Sequence, residues 1–511
     1  MSQRPLNDAM DPRALTARWV IRGTLTLETA MHLGGEGTER VDMSVLRDLQ
    51  EGKPLLPGTT FAGALRDALA DRLAGYGQNE PAEVAVLFGA ARGDDEGSQS
   101  PLIVFDAFGE FPEQSGIEIR DGVAISPATG VAEDHKKYDF EVLPAGTVFP
   151  VRVDLLLPAP SIFNFESQPE EKALLERLTE ALDAFTHGEN ALGARRSRGL
   201  GRVRALWAAR RFDFSSKDGW LAWILSDHKN PFTANPDQAS IRNAIEVAAP
   251  DELKPLAFLG DARSRVIVEL DLRIAHDILI RSPGIDPGAA DVSHIRSGGV
   301  PILPGTSLAG VIRSQSLRIA RLVRTHQSDA ENWIDRLFGP RFEGPRPPTG
   351  HKPYASRLRV GEARIEGSQC HRQTRVAIDR FTQGAVDTAL FDEQTEVGGR
   401  AVVRLELRDP REGELGLVLL VVKDLLDGVV PVGGTSSVGR GVLRGSAFIT
   451  WPERNGSPQE PARYAKVEPR KAPTGEASAE IDKAIRAFHA ASPIRKEELG
   501  ENQSSNGSKG A

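Results

Sequence analysis

Apolar and polar residues alternate in two stretches that lie far apart in the chain. RWVIRGTLTLETAMHLGG, from Arg18, alternates through Val20, Gly23, Leu25 and Leu27; SRVIVELDLRIAHDILIRSPG, from Ser264, alternates through Val266, Val268, Leu270, Leu272 and Ile274. A period of two predicts a strand with one face on a core, and Gly34 and Gly35 end the first. The period then changes. Phe61, Leu65, Leu69 and Leu73 follow Pro57-Gly58, and Leu308, Ile312 and Ile319 follow Pro304-Gly305, at the spacing of an amphipathic helix. Thr59 or Thr60 is placed to cap the first helix and Gly75 to end it. Free N–H groups at such a helix start can hold a phosphate.

These parallels belong to a longer repeat. VDMSVLRDLQEGKPLLPGTTFAGALR, residues 41–66, returns in shorter form as ADVSHIRSGGVPILPGTSLAGVIR, residues 290–313. Each half continues with Leu-Phe-Gly (Leu87–Gly89, Leu337–Gly339), then a strand, LIVFDAF or LRVGEARI. A β-rich stretch with hairpin character follows, and then a Gly-rich loop, LGARRSRGLGRVRA or VGGTSSVGRGVLRG. The chain therefore reads as a tandem duplication. Residues 1–17 read as a flexible lead-in, 18–210 and 263–451 as the two domains, and 211–262 as a structured connector with a helix near Gly219–Leu225. Residues 452–511 read as a mostly disordered tail with one short helix at Ala479–Ala490. Strand, helix, strand pair, helix, strand is the ferredoxin-like order, so the fold class expected is α+β with two such domains.

Composition narrows the function. A chain of 511 residues holds two ordinary domains, and its single cysteine, Cys370, rules out an intrachain disulfide. Ten histidines without Cys/His clustering offer no zinc site of the usual spacing. No stretch suits a signal peptide or a membrane span, which points to a cytoplasmic protein. The formal charge of −8 argues against indiscriminate nucleic-acid binding, yet the charges segregate: Asp94, Asp95 and Glu96 share one loop, while Arg195, Arg196, Arg198, Arg202 and Arg204 crowd another. Such a crowd of like charges calls for an anion. The second Gly-rich loop carries only Arg440 and Arg444 and must rely more on backbone N–H groups. No aromatic signature of a base-stacking sheet is present, so RNA would be held by loops.

Together, HLGGEGTERVDMSVLRD, KPLLPGTTFAGALR, RSRGLGRVR, SSVGRGVLR and VAIDRFTQGAVDTALFDEQ resemble the repeat-associated mysterious protein (RAMP) superfamily, specifically the backbone subunit of type III CRISPR effector complexes. Two fused units resemble the double backbone subunit of type III-D complexes. The resemblance implies palms that hold CRISPR RNA, thumb hairpins that separate segments of the guide:target duplex, neighbouring effector subunits as partners, and an acid that cuts single-stranded target RNA. The acid falls on Asp42 in the first half and, by register with Ser293 and Arg296, on Asp291 in the second, with Asp286 the alternative. RNA contacts fall on Gly34, Gly35, Arg47, Arg66, Arg195, Arg196, Arg198, Arg202, Arg296, Arg313, Arg380 and Arg440; Lys136 and Lys137 lie in the first presumed thumb. Neither loop supplies the converging carboxylates of a two-metal nuclease. A lone Asp suits attack by the RNA 2′-OH, as general base or as holder of one divalent ion, expected to be Mg2+. His32 and His294 are left out of this set as ordinary hydrogen-bonding histidines. The competing readings are a non-catalytic RNA-binding scaffold and a guide-maturing endonuclease; for the latter the usual His/Tyr/Lys site cannot be assembled.

Overall fold

In a computed structural model the described residues are 15–35, 41–90, 99–126, 129, 131–158, 170–228, 232, 236–283, 290–324, 326–340, 354–452 and 463–494. Asp94, Asp95, Glu96 and Asp286 lie outside them. The first half runs β1 (Leu15–Leu27), α1 (Gly58–Ala74), α2 (Ala82–Phe88), β2 (Leu102–Val104), a hairpin of β3 (Glu118–Ile125) and β4 (Ala132–Val142), β5 (Val148–Pro158), α3 (Glu171–Thr186), β6 (His187–Ala191) and β7 (Arg202–Asp213). Its sheet has the order β2-β5-β1-β7-β6. Without the hairpin and the edge strand β6, this is the ferredoxin-like sheet, with the first strand in the middle.

On β1 the buried positions facing the helices are Ala17, Trp19, Ile21, Leu25 and Leu27. Leu25 and Leu27 fall on the core face as their alternation predicts, whereas Val20 does not. Val20 is buried too, on the opposite face, in a small cluster with Phe212 and Phe214. That second cluster is built by α4 (Lys217–Ile224), whose Trp223 stands edge-on to Phe212. A further helix, α5 (Ile241–Ala248), packs Ile241 and Ile245 into the first core. The stretch after β7 is therefore integrated with the first sheet. Its short amphipathic helix α5 lay hidden among Pro-rich turns.

The second half repeats the plan with β8 (Arg265–Ile274), the short β9 (Val292–His294), α6 (Gly305–Val323), α7 (Gln327–Phe338), β10 (Leu358–Val360), the hairpin β11 (Gln369–Ile378) and β12 (Ala385–Val397), β13 (Arg400–Arg408), α8 (Glu414–Leu426) and β14 (Leu443–Trp451). Val266, Val268, Leu270, Leu272 and Ile274 are all buried, as their alternation predicts. Two elements follow in the expected tail. β15 (Arg463–Val467) pairs with β14, giving the order β10-β13-β8-β14-β15, and α9 (Ser478–Ala490) buries Ile481 and Phe488. The helix was legible. The strand was not, because only Ala465 of its five residues is buried and its sequence reads as polar loop.

The helix starts differ from expectation. Pro57 precedes α1 without a side-chain cap, and the Gly58 N–H is taken by Asp106 at 2.6 Å. A Cβ on Gly58 would stand 2.2 Å from the Val104 carbonyl, and one on Gly305 would stand 2.3 Å from that of Arg198. Both Pro-Gly corners are packed closely against backbone, and at the first the glycine N–H is already engaged by a carboxylate.

The halves meet through specific polar contacts. Arg120 and Glu362 form an ion pair at 2.5 Å with side chains 5% and 2% exposed. The Gly298 N–H donates to Glu118 at 2.8 Å, the Ala145 N–H to the Ser297 hydroxyl at 3.0 Å, and the Tyr76 hydroxyl to Glu406 at 3.0 Å. The root of the first hairpin thus sits on the turn that follows the second half's Asp291 loop.

Candidate functional site

In each half the loop that carries the proposed acid is clasped to the return strand of the hairpin. The Asp42 N–H donates to the Asp139 carboxylate at 2.9 Å and the Asp139 N–H donates back to Asp42 Oδ2 at 3.0 Å. In the second half the Asp392 N–H donates to Asp291 Oδ2 at 2.8 Å. The following residues continue the match, since Met43 bridges Phe140 and Val292 pairs with Glu393, both parallel. Asp291 therefore occupies the position of Asp42. Both acids are exposed.

Arg47 and Arg296 fasten the same loops. Arg47 reaches Glu141 with both contacts at 2.6 Å, and Arg296 pairs with Glu396. Gly34 bridges Val45 across the loop, and the Gly35 N–H donates to the Ser44 carbonyl at 2.9 Å. His32 and His294 are buried and hydrogen-bonded to backbone: His32 Nδ1 lies 2.7 Å from the Glu141 carbonyl, and His294 spans the Ile280 N–H and the Ile302 carbonyl.

The Gly-rich loops have one conformation in both halves. Arg195 and Thr435 hold φ of 58° and 55°, and each loop turns back at Gly201 or Gly441, where a Cβ would stand 1.8 or 2.0 Å from a carbonyl oxygen. Their side chains differ. Arg195 donates to the Tyr138 hydroxyl at 2.7 Å and lies over Tyr138 and Phe140, with Met43 beside it, so it borders the Asp42 clasp. Arg202 and Arg204 flank Glu28, at 2.7 and 2.8 Å. Part of the expected crowding is thus neutralised by a protein carboxylate. Arg196 lies beside Arg359 and Arg404 of the second half, and the Arg198 carbonyl lies against Gly305. Arg440 is buried among Asp277, Glu393 and Gln373, where the first half has the apolar Ala30, Phe140 and Leu200.

Other expected contacts lie elsewhere. Arg66 pairs with Glu80 and Arg313 with Asp335, each bracing its helix to the next stretch of chain. Lys136 and Lys137 pair with Glu133 and Asp121. Arg380 is exposed at the tip of the second hairpin, 5.6 Å from the ring of Phe381.

Sequence reasoning missed Asp139 and Asp392. A signal existed: both return strands carry an aromatic–Asp pair, Tyr138-Asp139 and Phe391-Asp392. The two sites also differ. Asp392 accepts from the Thr374 hydroxyl at 2.5 Å and from Arg372 at 2.6 Å, contacts that hold it below the ordinary aspartate range, whereas Asp139 lies opposite Asp121. Among the described residues no three His, Cys, Asp or Glu side chains form a metal-binding group.

Two separate stretches, residues 24–204 and 277–444, match the family description of the RAMP superfamily. The chain belongs to the RAMP superfamily. It is a two-unit RAMP protein, each matched stretch covering a palm with its hairpin, and RAMP proteins are in general CRISPR-associated RNA-binding proteins, some of them ribonucleases. No curated protein matches the chain. Among the described residues no helix is long and apolar enough to cross a membrane.

Proposed function

We propose that this RAMP protein is a backbone subunit of a type III, III-D-like, CRISPR effector complex, that it binds CRISPR RNA, and that it cuts complementary target RNA at Asp42 and Asp291. The observation that carries this reading is the duplicated clasp: an exposed aspartate held, twice, at the root of a hairpin by the backbone of a second aspartate. Such a clasp fixes the carboxylate without burying it, which is what a base acting on a bound strand requires.

In the reaction proposed, the carboxylate takes the proton of a target 2′-OH, that oxygen bonds to the adjacent phosphorus, and the bond to the 5′ oxygen breaks. The leaving oxygen takes a proton from solvent, the carboxylate returns its own to solvent, and the products carry a 2′,3′-cyclic phosphate and a 5′-OH with no water consumed. Asp42 with Asp139, and Asp291 in the second unit, would hold a hydrated divalent ion, which supplies charge stabilisation at the scissile phosphate. Arg195, beside Met43 and bonded to the Tyr138 hydroxyl, is a cation bordering the first clasp.

A scaffold without cleavage is the second reading, and one observation favours it: the clasp alone gives Asp42 and Asp291 a structural task. Asp→Asn separates the two, because an amide oxygen still accepts from the thumb N–H but is no base. Loss of one distinct product in D42N and of another in D291N, with target binding retained, supports catalysis. Unchanged products from both variants leave the scaffold.

A further inference from the structure

The outer face of each sheet, turned away from its core helices, carries an arginine–carboxylate ladder, and the two ladders are satisfied differently. In the first unit Arg18 and Arg152 both pair with Asp154. At the matching places in the second unit stand Arg265, Arg404 and Glu406, as the pairings of β1 with β5 and of β8 with β13 align. There Glu406 is taken by Arg408 at 2.9 Å and by the Tyr76 hydroxyl, and Arg265 by Glu189. Arg404 has no hydrogen-bonded or ion-paired partner among the described residues, nor have Arg359 on β10 and Arg196 on the first unit's Gly-rich loop. Glu406 attracts Arg359 and Arg404 only through space.

These three arginines line one open cavity of about 60 Å³ between the units, bordered also by Glu189, Gly199, Arg202, Gly361 and Glu362. Its acids are committed: Glu362 to Arg120, Glu189 to Arg263 and Arg265, and Glu406 to Arg408. Burial and the neighbouring Arg408 push the Arg359 guanidinium down to about 10, the mark of a cation in want of a counter-charge. A cavity of this size exceeds the space of a single water. Guanidinium forks suit a tetrahedral oxyanion, which offers an oxygen to each.

We propose that this cavity is an oxyanion site for one phosphate group, held by Arg196 from the first unit and Arg359 and Arg404 from the second, and that its occupant joins the two units. The phosphate comes either from an RNA backbone or from solution, and the site stands whether or not Asp42 cuts RNA.

The test titrates inorganic phosphate into the full-length protein at constant ionic strength, with chloride as the reference salt, and follows heat and melting temperature. The expected result is saturable binding with a rise in melting temperature. R359M and R404M should each weaken it about tenfold, the worth of one charge-assisted fork. R359K, which keeps the charge and loses the fork, should weaken it as well. Loading a single-stranded RNA first distinguishes the source: phosphate binding abolished by RNA marks a backbone phosphate as the occupant, and binding that persists marks a free anion. The proposal is overturned if phosphate acts no differently from chloride, or if its binding survives R359M and R404M unchanged.

Discussion

At Asp42 and Asp291 the flanking chain is so alike that their differences become informative. Asp139 retains a carboxylate beside Asp42, while Asp392 is drawn to Thr374 and Arg372. On the proposed reading a divalent ion is thus offered two carboxylates in the first unit and, in effect, one in the second. Titrating Mg2+ while mapping both products should show the Asp42 cut saturating at the lower concentration, and R372A should narrow the difference. Equal saturation of the two cuts in the unmodified protein would refute this ordering. His294 sets a further difference. Burial holds it below the ordinary imidazole value, and it accepts from the Ile280 N–H while facing the Ile302 carbonyl, with Glu396 and Arg296 nearby. The folded pKa is depressed, so the unfolded chain binds a proton first as pH falls. The stability that neutral His294 gives the Asp291 loop is complete above pH ~6.5 and is lost as the medium becomes more acidic. Hydrogen exchange at residues 291–296 should accelerate below about pH 6, whereas at 42–47, where Val45 replaces the histidine, it should not.

Among the elements, the second hairpin presents, on the proposed reading, a tip suited to RNA. Asp379 accepts from the N–H groups of Phe381 and Thr382 and from the Thr382 hydroxyl, a local turn that fixes Phe381 while leaving it 87% exposed. An ordered, largely exposed aromatic with the Arg380 guanidinium beside its ring is suited to a base and its phosphate. F381A should weaken target retention about tenfold, at the lower end of base–aromatic stacking energies, with no change in melting temperature because no burial is lost. A fall in melting temperature without loss of RNA affinity would assign Phe381 to the fold instead. What the sequence revealed follows the range of the interactions. Strand and helix faces such as Val266–Ile274 and Phe61–Leu69 were legible because neighbours in the chain set their period. The clasp was half legible: the repeat exposed Asp42 and Asp291, but their partners lie 97 and 101 residues away and make no local pattern. The same holds for α1, whose N–H is taken by Asp106, 48 residues on, and not by the adjacent threonines. The crowding of the arginine loop was legible, yet Glu28 and Tyr138, which answer much of it, come from distant parts of the chain.

Across the whole molecule, the junction between the units is both a stability element and a template. Arg120 and Glu362 are buried as a pair, and removing one leaves the other charged and dry. E362A should therefore destabilise the junction by about 3–5 kcal/mol, while a double R120M/E362M variant should recover most of the loss. Calorimetric melting of the three proteins checks this, and a double variant no better than E362A would contradict it. The template lies in the equivalent face of the first unit. The second unit's turn Ser297–Gly299 and its β10 end are covered by the first unit's hairpin root, but in the first unit the same places are uncovered: Leu49 is fully exposed, and Ile103, Phe105 and Phe108 are 38%, 37% and 46% exposed around Asp106. Asp106 stands where Glu362 stands, so a neighbouring subunit that offers an arginine from its own hairpin root would fit as the first unit fits the second. On the proposed reading this face receives the next effector subunit. L49D should then abolish incorporation into the assembled complex while the isolated chain melts unchanged, since that side chain is fully exposed in it. Normal incorporation of that variant would place the neighbouring subunit on another face.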